Sequence, residues 1–204
     1  MRAKFITLEG IDGAGKSTHL RWIARFLRQR GIRLRLTREP GGTVFGEKLR
    51  RLLLGGRRGL HPETETLLMF AARREHLDKV IVPTLASGRW VLCDRFTDAT
   101  YAYQAAGSGV NWKKIESLER WVQSGLQPDL TILFDVAPEV GRRRAGRRKS
   151  PDRFEREKAS YYQRVRKAYL RRAREHPRRV RVIDAHGSLP DIHKQLEKIL
   201  SSYC

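Results

Sequence analysis

Two rhythms of apolar residues alternate along this chain. Short runs rich in β-branched and aromatic residues, Phe5–Leu8, Arg33–Thr37, Trp90–Asp94, Leu130–Asp135 and Val180–Ile183, predict strands. Longer stretches between them carry helical spacing. Leu20, Ile23, Ala24 and Leu27 recur at i, i+3, i+4 and i+7 with arginines on the opposite face, and Gly31 stops that helix. Thr64–Ala86 places Leu67, Leu68, Ala71, Ala72, His76 and Val80 on one side, and Trp112–Gly125 does the same with Ile115, Leu118, Glu119 and Val122. From Asp152 onward Phe154, Tyr161, Tyr162, Val165, Ala168 and Tyr169 form a stripe, and Asp191–Leu200 carries Ile192, Leu196, Ile199 and Leu200. Strands alternating with helices of this length predict parallel β joined by right-handed crossovers. The expected fold is α/β and three-layered, a five-stranded parallel sheet flanked by helices. There is no internal repeat and no long linker, so residues 1–204 read as a single domain.

Composition adds limits. With 40% hydrophobic and 8% aromatic residues the chain has the material for a core. Its longest apolar runs, such as Trp90–Cys93, fall far short of the ~20 residues that span a bilayer. The first nine residues read as a short strand closed by an acid, too short for a secretory h-region. Neither Cys93 nor Cys204 has metal-ligand or disulfide-framework spacing, so a reducing cytoplasm is the expected compartment.

The charge is unusual. The formal net charge is +21 and the pI is near 11.0, values typical of nucleic-acid binders. Its distribution argues otherwise, because residues 142–181 alone contribute +14 and the rest of the chain only +7. The excess is mostly arginine, 32 against 11 lysines. Nucleic-acid binding is therefore not the expected function.

The chemistry begins at Gly10-Ile11-Asp12-Gly13-Ala14-Gly15-Lys16-Ser17-Thr18, which follows a strand, opens a helix and matches G-x-x-x-x-G-K-[ST]. Glycines let backbone N–H groups turn inward around phosphate oxygens, and the helix N-terminus adds a favourable dipole. Lys16 can reach the β- and γ-phosphates and Ser17 can ligate Mg²⁺. The plainer reading, a glycine turn before a helix, explains neither the lysine nor the hydroxyl. A bound nucleoside triphosphate leaves a switch, a motor and a transferase open. The chain has no Asn-Lys-x-Asp guanine-reading motif, and no strand ends in an Asp-Glu pair. The third strand ends instead in Asp94-Arg95. Asp94 is placed to hold Mg²⁺ at a strand's carboxyl end, and Arg95 offers a fork of donors to a second phosphate group.

Further segments complete a pattern: Arg38-Glu39-Pro40-Gly41-Gly42-Thr43, Phe70-Ala71-Ala72-Arg73, Asp94-Arg95-Phe96, Thr100-x-x-Tyr103-Gln104, and an arginine-rich tract before Asp152-Arg153-Phe154-Glu155. In this order, with the phosphate loop, they resemble the thymidylate kinases over essentially the whole chain. The resemblance implies transfer of a phosphoryl group from ATP to dTMP, giving ADP and dTDP. It implies ATP bound by Gly10–Thr18 and Arg142, Mg²⁺ on Ser17 and Asp94, and chemistry supported by Lys16, Asp94, Arg95, Arg147 and Arg148. On the acceptor side it assigns Asp12 to the sugar 3′-hydroxyl, Arg38 and Arg95 to the acceptor phosphate, and Glu39 and Pro40 to the nucleotide pocket. Phe70 resembles the aromatic that stacks on thymine and Arg73 the arginine that reads a base carbonyl. Thr100, Tyr103 and Gln104 match positions that contact the base and crowd out a ribose 2′-hydroxyl. Many members space the aromatic and the arginine four apart. Here Phe70–Arg73 is three apart, while Met69–Arg73 and Phe70–Arg74 are four apart, so the register stays open by one residue.

Residues 141–152 correspond to the family's lid, a basic loop over the donor phosphates. Some members carry an arginine directly after the loop aspartate, where this chain has Gly13. Members without it have lid arginines instead, and Arg142, Arg147 and Arg148 are the candidates here. Asp184-Ala185 sits where members approach the adenine. The arginines from Arg164 to Arg181 match no motif and read mostly as an exposed helix face. The family is usually homodimeric through helices. Because the nucleophile is an anionic phosphate oxygen, no general base is needed. The alternatives are another nucleoside monophosphate kinase and a nucleic-acid-associated P-loop ATPase.

Overall fold

A computed structural model describes residues 2–55, 60–146 and 157–203. Its five described strands, β1 (Phe5–Glu9), β2 (Leu34–Arg38), β3 (Trp90–Asp94), β4 (Leu130–Asp135) and β5 (Val180–Asp184), form one parallel sheet in the order β2-β3-β1-β4-β5. Each lies within a residue of its expected bounds. Register matters for function: Leu8 and Arg38 both pair with Asp94, so the carboxyl ends of β1, β2 and β3 finish level.

Side chains alternate across the sheet. Ile6, Leu8 and Leu92 join a cluster with α1 (Lys16–Gln29), α8 (Ala159–Glu175) and α9 (Leu189–Ser201). Phe5, Val91 and Cys93 join a second with Phe70 of α3 (Pro62–His76) and Ile115 and Val122 of α6 (Trp112–Gln123). The α/β expectation, a sheet covered on both faces, is thus met.

The stretch expected as one helix over 64–86 is interrupted. After α3 a π-helical turn occupies Leu77–Ile81, in which Val82 N–H donates to Leu77 O, and α4 (Val82–Ala86) follows. Pro83 has no N–H to continue the ordinary ladder. The buried face of α3 also differs from the expected stripe. Ala72 and His76 of that stripe are buried, but Leu67 and Ala71 are exposed, and Glu65, Phe70 and Arg73 are buried in addition. A polar face is buried there because it lines a site.

Two helices escape the periodicity. In α2 (Val44–Gly55) the apolar Val44, Phe45 and Leu52 are exposed while Leu53 and Leu54 pack inward, so the core-facing stripe is too short to be read. In α7 (Pro138–Ala145) five residues of the expected lid, Gly141–Ala145, are helical. The short helix α5 (Thr97–Thr100) runs into a second π-helical segment, Tyr101–Gly107.

The arginines after 164 are less idle than expected. Arg172 and Arg179 close on buried Asp98, with Arg172 Nε at 2.9 Å and Arg179 Nη1 at 2.6 Å, which ties α8 and the start of β5 to α5. Burial alone would raise Asp98, but Arg179 and Arg172 outweigh it and hold the carboxyl at about 2. Its contribution to stability is therefore present above about pH 4 and is lost as pH falls toward 2. The depression corresponds to ~2 kcal/mol. Asp98→Asn should cost at least that amount in urea denaturation at pH 7, and the deficit should shrink at pH 3. An equal deficit at both pH values would refute the role given to this carboxylate.

Candidate active site

Between β1 and α1 the chain turns through the phosphate loop. Lys16 is buried and its Nζ donates to Gly10 O and Ile11 O, both at 2.9 Å, so the ammonium is held inside the loop. Burial, reinforced by Arg95, pushes Lys16 down to about 8, against the pull of Asp12, Asp94 and Glu9. Ser17 is exposed on the first turn of α1. At the end of β3, Asp94 Oδ1 is buried with no hydrogen-bond partner. An unpaired carboxylate oxygen and a hydroxyl are the hard oxygen donors that Mg²⁺ takes, so the residues present fit that ion.

Arg95 links this loop to the neighbouring cleft. Its Nη1 donates to Gly10 O and Tyr169 Oη, both at 3.1 Å; its Nη2 donates to Asp12 Oδ1 at 2.7 Å and Tyr103 Oη at 3.0 Å. Tyr103 in turn donates to Asp12 Oδ2 at 3.0 Å. Burial would raise Asp12, but Arg95 and Lys16 overcome it and hold the carboxyl below its ordinary range. Asp12 is therefore an ionised acceptor at neutral pH.

The cleft itself is lined by Glu39, Pro40, Met69, Arg73, Arg95, Phe96, Thr100, Tyr103 and Gln104, with Leu54 and Ala99. Glu39 precedes a cis peptide to Pro40. Its Oε2 accepts from Arg73 Nε at 2.8 Å and its Oε1 pairs with His76 Nδ1 at 2.9 Å, while His76 Nε2 meets Thr37 Oγ1 at 2.6 Å. Burial would raise Glu39; Arg73 and His76 reverse that and keep it ionised. Arg73 Nη2 donates to Thr100 Oγ1 at 3.1 Å, but its Nη1 is buried without a partner. Gln104 Nε2 is fixed by Glu65 at 2.8 Å.

The residues of the open register take different places. Met69 and Arg73, four apart, line the cleft. Phe70, expected to stack on the base, is instead enclosed by the second core cluster with Phe5, Phe96 and Tyr101, and its ring lies under the Arg73 guanidinium at 4.7 Å. Arg74 turns away to Asp78 and to Val122 O. Arg38 ends β2. It is exposed, does not line the cleft, and pairs with Glu47 at 2.9 Å. Arg50, which no motif marked, is nearby. It donates to Pro40 O at 2.9 Å, and its charge is felt together with those of Arg38, Arg95 and Asp94.

A larger cavity of about 730 Å³ lies elsewhere, lined by Glu116, Glu119, Arg120, Arg172 and Pro177–Arg179 among others. It opens near the residues preceding β4 and β5. Ligands of open parallel sheets bind at the opposite, carboxyl ends of the strands, where the phosphate loop and the smaller cleft meet.

The family model described as thymidylate kinase matches residues 8–196. The chain belongs to the thymidylate kinase family. It is 56% identical over 202 residues to the thymidylate kinase of Nitrosospira multiformis, covering 99% of this chain and 98% of the relative. It is 57% identical over 204 residues to that of Cupriavidus necator, covering 99% and 100%. The crystal structure of thymidylate kinase from Ehrlichia chaffeensis superimposes with a TM-score of 0.80 at 35% identity, covering 98% of this chain and 99% of that one. The family carries kinase activity with it, and ATP as the co-substrate.

Within the kinase fold, α7 is pressed against the phosphate loop. Gly13 has φ 78°, and a Cβ there would collide with the Gly141 carbonyl. A Cβ on Gly141 would in turn lie 2.7 Å from Asp12 O. The glycine that replaces a loop arginine thus admits the helix bearing Arg142, which is exposed directly after the contact, and Arg144, whose Nη1 donates to Ala185 O at 2.9 Å. Arg147, Arg148 and the segment Asp152–Glu155 lie outside the described residues. Three site residues carried no sequence signal. Arg50, Glu9 and Tyr169 act through contacts distant in sequence, although Glu9 does stand at a strand end beside the loop. Gly13→Ala should lower kcat/KM for ATP by roughly tenfold or more, because both backbone conformation and close approach are violated. The far-UV circular dichroism should not change. Unaltered kinetics would refute the contact's importance.

Proposed function

We infer that this thymidylate kinase transfers the γ-phosphoryl group of ATP to the 5′-phosphate of dTMP at the carboxyl ends of β1 and β3. One observation carries this reading: Arg95 joins the two halves of the site, touching Gly10 O and Asp12 of the phosphate loop while lining the acceptor cleft. In the reaction the bond from Pγ to the β–γ bridging oxygen breaks, and a bond from Pγ to a dTMP phosphate oxygen forms. That oxygen is anionic at neutral pH, so no proton has to leave it. Catalysis is positioning plus stabilisation of charge in a site shielded from water.

Lys16 exchanges its two carbonyl partners for phosphate oxygens when ATP enters the loop. Asp94 and Ser17 are the residues that would hold Mg²⁺. When bound there, the ion would supply neutralisation of the charge on the transferring phosphates. On the acceptor side Asp12 accepts from the sugar 3′-hydroxyl, and the free Nη1 of Arg73 supplies a donor for a thymine carbonyl. Met69 lies under the base in place of an aromatic ring. Tyr103 fills the space a 2′-hydroxyl would need. Arg50 joins Arg95, with Arg38 at the rim, as positive charge for the acceptor phosphate. Arg142, with Arg147 and Arg148, serves the donor phosphates.

A homodimer in the cytoplasm belongs to the same proposal. Leu52 of α2, Leu67 of α3 and Trp121 of α6 are exposed, Trp121 by 78%. A groove between α3 and α6 runs along Leu67, Ala71, Leu118 and Trp121. Burying such a surface against a second copy removes apolar area from water. Among the described residues no helix is long and apolar enough to cross a membrane.

Coupled assay of ADP release across dTMP, dUMP, dCMP, AMP and GMP should show dTMP as the preferred acceptor; preference for another nucleotide would overturn the reading. Lys16→Ala should reduce kcat by roughly 100-fold or more with the fold intact, since an anchored cation on the transferring group contributes several kcal/mol. Retained turnover would remove Lys16 from the chemistry. For the dimer, Trp121→Glu should convert a species of twice the 23.7 kDa chain mass into monomer on sedimentation. A wild-type monomer would exclude that part.

A further inference from the structure

Two tyrosine–carboxylate pairs flank the Arg95 guanidinium, and they are not equivalent. On the Nη2 edge, Tyr103 gives its proton to Asp12 and accepts from Arg95. Both Tyr103 and Asp12 face the ligand side: Tyr103 lines the cleft, and Asp12 is partly exposed in the loop. On the Nη1 edge, Tyr169 of α8 gives its proton to Glu9 Oε2 at 2.8 Å and accepts from Arg95 at 3.1 Å. This second pair is sealed. Glu9 is 0% exposed and Tyr169 2%. The other Glu9 oxygen accepts from Phe96 N–H at 2.7 Å, so both its oxygens are occupied by protein donors.

Arg95 also has φ 70°, in the left-handed region that is sterically costly for a non-glycine residue. Such a conformation persists only where its surroundings hold it. Its own N–H donates to Leu8 O at 2.9 Å, and the next N–H, on Phe96, is the one Glu9 takes. Glu9 therefore grips Arg95 twice, through the following peptide and through Tyr169, and touches no surface a substrate can reach.

We propose that Glu9 and Tyr169 are positioning residues for Arg95, fixing the Nη1 edge of its guanidinium so that the Nη2 edge is free to exchange Asp12 and Tyr103 for the acceptor phosphate. This rests on the assignment of Arg95 to that phosphate. Tyr169→Phe keeps the ring and removes the hydroxyl. It should weaken dTMP binding in calorimetry by roughly tenfold, the scale of one hydrogen bond to a charged group. The KM for ATP should stay within about twofold, because the Lys16 half of the loop is untouched. In an Arg95→Ala background the same substitution should add nothing, since residues acting through one group are non-additive. Glu9→Gln, which keeps an acceptor for Phe96 N–H, should show the same pattern and provides the cycle if Tyr169→Phe folds poorly. An equal loss in both backgrounds, or parallel loss of ATP and dTMP affinity, would overturn the positioning role alone. An Arg95→Ala variant that binds dTMP normally would overturn the phosphate assignment and the proposal with it.

Discussion

One half-buried guanidinium ties together much of the architecture of this kinase. Arg95 sits between phosphate loop and cleft with four N–H groups committed to protein acceptors. A buried charge without partners is strongly destabilising, and removing one member of a buried pair typically costs ~3–5 kcal/mol. The chain meets this demand from four places: the loop (Gly10, Asp12), the segment after α5 (Tyr103), α8 (Tyr169) and, through Tyr169, the end of β1 (Glu9). Holding Arg95 therefore brings the helices on one face of the sheet into register with the strand ends. The same cluster brings opposite charges so close that Asp12 stays ionised despite burial, while Glu9, with desolvation and Asp98 against it, is pushed up to about 8.

The cleft repeats this logic with a second buried arginine. Arg73 is held by Glu39, which is held by His76, which is held by Thr37. Three of these four come from β2 or α3, so the helix is indexed against the strand by polar contacts rather than by apolar packing. One donor, Nη1 of Arg73, is left over. In a network otherwise satisfied, a single buried orphan costs about 1–3 kcal/mol unless a ligand answers it.

How much of this was legible in the sequence follows from range. The strands and the phosphate loop are local: hydrophobic run length and glycine spacing define them within a few residues, and the structure moved no strand by more than one. Side-chain direction on α3 is not local. Phe70 and Met69 are neighbours with similar hydrophobicity, and the packing of Phe5, Phe96 and Tyr101 around Phe70 on that face of the sheet leaves Met69 at the cleft. Leu67 shows the converse, an apolar residue on the expected core face that points outward. Helix α2 has no legible stripe because Val44, Phe45 and Leu52 face away from this chain's core and only Leu53 and Leu54 turn toward it. Glu9 and Tyr169 are 160 positions apart, and nothing in either neighbourhood announces that they meet.

The basic excess finds part of its explanation in geometry that lysine cannot supply. Arg166 meets Asp135 with two parallel bonds of 2.7 and 2.8 Å, and Arg179 reaches both oxygens of Asp98 at 2.6 and 3.0 Å. Arg164 spreads Nε and Nη2 over two consecutive carbonyls, Ala106 and Gly107, at the end of the segment that carries Tyr103 and Gln104. Each contact uses the planar fork, with two donors at fixed separation, and a single ammonium on a flexible stem has no equivalent. All three arginines connect α8 or the start of β5 to elements beneath them. The forks of Arg164 and Arg166 therefore anchor Tyr169's helix at Gly107 and Asp135, and Arg172 Nε adds a single bond to Asp98. The side chains that looked like surplus charge on an exposed face fix the platform from which the Arg95 clamp is built.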